Sequence, residues 1–174
     1  MTRQRIGLIW VTGFIATIFA ANWAIATFGV VPVGFGLVAP AGVYFAGLAF
    51  TCRDMTHEYL GRWYALAAVL IGAFLSYWVS PAFAIASGAA FLFSELLDWA
   101  VYSWLRPRHW IGAVSVSNVF GFVADSIIFL WLAFGSLAFL PGQLVGKAWV
   151  TLIAVGLLIA WRRYRQKPLG MVPA

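Results

Sequence analysis

The sequence predicts an all-α, polytopic integral membrane protein: six transmembrane helices in one domain over residues 1–174, with both termini cytoplasmic. Three observations lead there. The 174 residues are 64% hydrophobic and only 9% charged, far more apolar than a soluble domain needs. Six segments supply the roughly 20 apolar residues that a bilayer core of about 30 Å requires of a helix. Of the 11 lysines and arginines, all but one fall on the same side of that topology, the bias expected of cytoplasmic loops.

The segments follow in order. The first, about residues 7–27, comes after Arg3 and Arg5. It resembles a signal peptide, but there is no small-residue cleavage site with a polar domain after it, so it reads as a retained span. The second covers about residues 32–52, after the break "FGVVPVG". Its glycines, in "VGFGLVAPAG", lack a preceding strand and do not match a dinucleotide fingerprint. The third and fourth, about 63–80 and 81–105, are separated at "SPA". The fifth, about 110–134, begins at "RPRHW", and the sixth, about 143–161, follows "LPGQ"; each break carries Pro or Gly punctuation. The tail "WRRYRQK" suits anionic headgroups at the inner surface.

Charge placement supports the count. Arg3, Arg5, Arg53, Arg62, Arg106, Arg108, Arg162, Arg163, Arg165 and Lys167 fall inside, and Lys147 alone outside. An odd number of spans would carry one basic terminus outside. The net charge of +6 therefore reads as membrane topology rather than as affinity for nucleic acid. The single cysteine, Cys52, excludes a disulfide framework and a multi-cysteine metal site. No HExxH, Gly-x-Ser-x-Gly, phosphate loop or CxxC occurs, so no metal, cofactor or catalytic residue is expected and the chain does not read as an enzyme. No three-plus-three repeat is supported.

The acids are placed selectively. All five lie in three clusters, and Glu95, Asp98 and Asp125 fall well inside predicted spans, where each costs about 2.5–3.5 kcal/mol on insertion scales. Glu95 and Asp98 are i, i+3 and share a helix face; Tyr102 and Arg106 extend it towards the cytoplasm. Asn118 and Asp125, seven apart, share a face of the next span. Ser94, Ser115 and Ser117 add hydroxyls, and Gly88, Gly112 and Gly121 allow close helix approach. Carboxylates and an amide are thus expected to converge near the midplane, in a cluster without Lys or Arg, as a binding cavity. Asp54 and Glu58, with Arg53 and Arg62, read as an interfacial ion-pair network or a cytoplasmic gate. His57 and His109 read as solvated turn residues. Trp10, Trp63, Trp110 and Trp161 suit interfacial belts, while Trp99 and Trp131 lie deeper, by default in packing or facing lipid.

The order "RDMTHEYLG", "SELLDWAVYSWLR", "SNVFGFVADSIIFLWLAF" resembles the queuosine precursor transporter family, also called the vitamin/queuosine uptake transporter (VUT) family. Asp54, Thr56, Glu58 and Gly61 fit its first motif, with Tyr59 one place earlier than the usual aromatic. Glu95, Asp98, Tyr102, Leu105 and Arg106 fit the second, whose first acid is an amide in some members. Ser117, Asn118, Asp125 and Ser126 fit the third. The resemblance covers about residues 50–134. It implies a six-span inner-membrane importer of a 7-deazaguanine base, such as 7-cyano- or 7-aminomethyl-7-deazaguanine.

Chemistry and resemblance converge. A guanine-like edge offers adjacent N–H and NH₂ donors that a carboxylate accepts in bidentate fashion, and an amide can serve the neighbouring carbonyl and ring nitrogen. The expectation is alternating access about a midplane acidic site. Glu95, Asp98, Asn118 and Asp125 would bind the base, and Asp54, Glu58 and Arg106 would form the gate. The partners are the base and the lipid bilayer, with no nucleic acid; a homo-oligomer is allowed. Two rivals stay open: a membrane subunit that binds substrate for an ATP-driven vitamin-type importer, and a small intramembrane enzyme using Glu95 and Asp98 as acid and base.

Overall fold

The computed structural model describes residues 2–105 and 110–166; the side chains of residues 102, 103, 110–115, 117, 118, 155, 158, 159 and 161–166 lie outside that description. Six helices and one short hairpin follow in order. Helix α1 (Arg3–Phe28) is capped by Thr2, whose Oγ1 accepts from the Arg5 amide, and stops at Gly29, where φ of 63° ends the helix. Then comes what the sequence reading missed. Residues expected to open the second span form an antiparallel hairpin instead, β1 (Val30–Gly34) and β2 (Leu37–Pro40), with Val30 opposite Pro40 and Pro32 opposite Val38. Valine-rich strands suit β-branched side chains, and Gly34, Phe35 and Gly36 turn the chain through three consecutive positive φ angles. The glycines of "VGFG" are therefore turn residues. The second helix, α2 (Val43–Leu60), starts eleven residues later than expected.

Gly61, at φ 92°, is the entire link between α2 and α3 (Arg62–Tyr77); its amide donates to the carbonyls of Thr56 and His57. His57 consequently sits on the last turn of α2 rather than in a solvated turn. Helix α4 (Pro81–Leu105) opens on a proline, which loses nothing at the first helical position. Helix α5 (Trp110–Phe134) ends at Gly135, again with positive φ. Helix α6 (Leu140–Gln166) begins three residues before the expected Gln143.

The helices pack with α4 most extensively against α5, α1 against α2 and α3, α2 against α6, and α3 against α4, while α5 and α6 meet over a smaller area. The end with Arg3, Arg53 and Arg62 is the basic end of the bundle; Arg3 ties α1 to α2 there through the Glu58 carbonyl, at 2.6 Å. The other is the hairpin end. The polarity of the bundle is inverted relative to a soluble protein. Phe74, Leu96, Trp99, Trp131 and Leu152 are each 60% exposed or more, whereas Arg53, Asn22, Asp125, Gln143 and Lys147 are buried. Such an apolar exterior belongs in lipid. Among the described residues, Arg3–Phe28 and Pro81–Val101 are long and apolar enough to cross a membrane by length and composition, and Arg62–Tyr77 and Val119–Phe134 are shorter apolar stretches.

The hairpin is docked, not free. The Phe35 ring stacks on Trp149 at 6.2 Å, Tyr44 Oη donates to the Pro32 carbonyl at 2.8 Å, and Gly142 lies directly under the Val38 carbonyl, where a Cβ would collide. Gly142→Ala should lower stability by about 1–3 kcal/mol through overpacking. The check is the thermal midpoint of the purified protein in detergent; an unchanged midpoint would show that the hairpin moves freely off α6.

Candidate functional site

A cavity lies in the hairpin-end half of the bundle, between α1, α2, α3, α4, α5 and α6, with about 620 Å³ of empty space counted to its mouth. Its walls include the rings of Phe50, Phe91 and Phe129, and its polar residues include Asn22, Ser87, Asp125, Gln143 and Lys147.

Each polar group reaches the cavity for a local reason. Gln143 and Lys147 are i, i+4 on α6, hence on one face, and Gly47 lets α2 approach the Lys147 backbone to van der Waals range. Lys147 is only 1% exposed. Its Nζ donates to Asp125 Oδ2 at 2.5 Å and to Ser126 Oγ at 2.8 Å, and it stands 5.6 and 5.5 Å from the ring centroids of Phe50 and Phe122. This contact bridges α5 and α6, whose own packing is limited. On the opposite wall, Asn22 is completely buried; its Nδ2 donates to the Ile18 carbonyl and to Ser87 Oγ, at 3.0 and 3.1 Å. Gln143 is 2% exposed, and its Oε1 has no hydrogen-bond partner among the described residues. An orphaned buried acceptor costs about 1–3 kcal/mol, so Gln143 is a group that a ligand donor would relieve.

A second cluster sits towards the basic end. Arg53, 6% exposed, donates through Nε and Nη2 to Asp54 Oδ1 at 2.9 and 2.7 Å, and through Nη1 to Glu95 Oε1. Asp98, one turn beyond Glu95, packs its Cβ against the backbone at Gly121, and its Oδ1 is buried without a partner among the described residues. Between the two clusters lies an aromatic layer. Phe50 packs on Phe91 at 5.8 Å and on Phe122 at 5.7 Å. The Phe50 ring has the Arg53 guanidinium at 5.3 Å and the Lys147 ammonium at 5.6 Å. Along each helix the order repeats: Phe91 precedes Glu95 by one turn on α4, Phe122 precedes Asp125 on α5, and Phe50 precedes Arg53 on α2.

The expected convergence is therefore corrected in three respects. Glu95 and Asp98 do come together with each other, but on the basic side of the aromatic layer, while Asp125 lines the cavity on the other side. The acids are not free of cations, because Arg53 pairs with Glu95 and Lys147 with Asp125. And Lys147, counted on the outer side, points inward two turns into α6 and pairs with Asp125. Of the expected gate residues, Asp54 belongs to the Arg53 network, whereas Glu58 is exposed and joins no ion pair among the described residues. Asn118 lies on α5, but its side chain falls outside the described residues, as does Arg106 entirely. Asn22, Ser87, Gln143 and Lys147 were missed. The signal was present for some: a Gln and a Lys four residues apart in an otherwise apolar helix, and an Asn isolated within the first span.

An apolar bundle around a cavity with polar groups on two walls suits a membrane protein that handles a small solute. The family described as "putative vitamin uptake transporter" matches residues 76–162, half of the chain, and the protein belongs to that family of transporters. The match takes in Glu95, Asp98, Asp125, Gln143 and Lys147; the motif from Asp54 to Gly61 precedes it. No curated protein and no solved structure matches the chain.

Proposed function

We propose that the protein imports a queuosine precursor, a 7-deazaguanine base, across the plasma membrane of the cell by alternating access, with six spans and both termini in the cytoplasm. One observation carries the reading: a cavity walled by Phe50, Phe91 and Phe129 and edged by the Asp125–Lys147 pair, Gln143 and Asn22. A flat heteroaromatic ring fits aromatic walls, and its edge needs donors and acceptors side by side. Asp125 keeps acceptor capacity beyond its bond from Lys147, since a carboxylate offers about four lone-pair sites, and can take the N–H and NH₂ of a guanine-like edge. Lys147 supplies a donor for the adjacent carbonyl oxygen, and Gln143 Oε1 a further acceptor.

On this reading the binding residues are Asp125, Lys147, Gln143 and Asn22. Glu95 and Asp98 serve the inner gate with Arg53 and Asp54, behind the Phe50–Phe91–Phe122 layer, which closes the basic end while the cavity faces outward. The ring layer and the Arg53 network would separate together when the site opens inward. The test is uptake of the labelled base by cells that lack their own importer and express this chain alone. Accumulation is expected, and Asp125→Asn should abolish most of it. Absence of uptake with folded protein in the membrane removes the proposed cargo.

A further inference from the structure

The charge balance of the cavity restricts what it can hold. Asp125 and Lys147 are the only charged side chains that line it among the described residues. They form one contact at 2.5 Å, and both residues are buried, Lys147 at 1% exposure and Asp125 at 7%. The cavity is therefore neutral as a whole, and its remaining polar groups, such as Gln143 and the Asn22–Ser87 pair, are uncharged. A neutral solute meets what is offered: Gln143 Oε1 accepts one of its donors, and the ion pair polarises its edge without separating. A cation or an anion adds one unit charge to a space walled by Phe50, Phe91 and Phe129. It can be compensated only by drawing Asp125 away from Lys147 or the reverse, which leaves the other member buried and alone, the costly arrangement for a desolvated pair.

Resting on the cavity as the cargo site of the proposed function, we infer that it selects net-uncharged heteroaromatic solutes, and that the Lys147–Asp125 pair is the specificity device. Of the two 7-deazaguanines, the 7-cyano base, which is uncharged, is the cargo. The 7-aminomethyl base carries a primary amine that stays protonated at pH 7, as a lysine does, and is discriminated against.

The experiment uses the full chain, purified in detergent, with three bases that share one ring and carry a neutral, a cationic or an anionic 7-substituent: 7-cyano-, 7-aminomethyl- and 7-carboxy-7-deazaguanine. Binding is read by thermal stabilisation and calorimetry. The neutral base should bind about tenfold or more tighter than either charged one, a separation typical of an unpaired charge at a partly screened site. Lys147→Met should move the ranking towards the aminomethyl base, and Asp125→Asn towards the carboxy base. Lys147→Arg, which keeps the balance, should retain the preference and guards against a folding defect in the other two. Equal or tighter binding of a charged base by the unaltered protein overturns the inference. A parallel set on a different ring, nicotinamide with 3-(aminomethyl)pyridine and nicotinate, separates the two claims. If no deazaguanine binds but this set still ranks the neutral member first, the proposed cargo fails and the charge rule stands. No charge ranking in the pyridine set, or silence in both sets, overturns the charge rule.

Discussion

Lys147→Met is expected to destabilise the protein by about 3–5 kcal/mol, because it leaves the Asp125 carboxylate buried without its cation. Lys147 is 1% exposed and Asp125 7%, so little water reaches the carboxylate to replace the lost ammonium. Ser126 Oγ, which also receives a bond from Nζ, would lose a partner too. The control is the double change Lys147→Met with Asp125→Leu. Removing both charges leaves no orphan, and replacement of a buried pair by apolar groups of similar volume is often neutral or stabilising. The double variant should therefore melt close to the unaltered protein and still fail to transport, since the polar edge of the cavity is gone. Thermal unfolding in detergent and uptake in cells read the two effects separately. If the single variant is as stable as the double, Lys147 and Asp125 do not form the buried pair on which the site depends.

Arg53→Met should have the second largest effect, again about 3–5 kcal/mol. Arg53 holds Glu95, on the neighbouring helix α4, and shares its guanidinium with Asp54. Without it Glu95, Asp54 and Asp98 remain near one another with no cation paired to them among the described residues, and Phe50 loses the guanidinium that stands over its ring. Magnitudes separate the two acids. Asp54 is half exposed, its side chain at 49%, so Asp54→Asn should cost only about 0–1 kcal/mol, the usual worth of a surface ion pair. Glu95 is 15% exposed and should account for most of the loss. Arg53→Met combined with Glu95→Gln should recover a large part of the stability. A loss as large in Asp54→Asn as in Arg53→Met would show that the outward-facing contact, not the inter-helix one, holds the basic end together.

Much of this architecture was legible in the chain. The helices α3, α4 and α5 begin and end within a few residues of the expected segments, because Gly61, Pro81 and Gly135 are punctuation that acts locally, through φ angles and missing donors. The hairpin was not legible. Its residues are apolar enough to pass for the start of a span, and the docking of Val38 on Gly142 and of Phe35 on Trp149, both far along the chain, adds to the preference of its valines for strands there. The two acidic motifs on α4 and α5 were seen on their correct helices, and they lie in the part that matches the family. Their grouping was wrong. Periodicity places Glu95, Asp98 and Asp125 on facing surfaces, but it does not say at what height a partner helix presents a cation or a ring.

By itself, then, the order of residues determined the class of solvent, the number of helices and the faces that carry charge. Those properties follow from composition, from local backbone chemistry and from the 3.6-residue repeat. Only the assembled bundle decided which charges meet. Arg53 and Glu95 are 42 positions apart and Lys147 and Asp125 are 22, and whether such groups pair depends on how α2 and α6 slide against α4 and α5. That choice is made by packing of Gly47 and the phenylalanines, a relation between distant segments that no local pattern encodes.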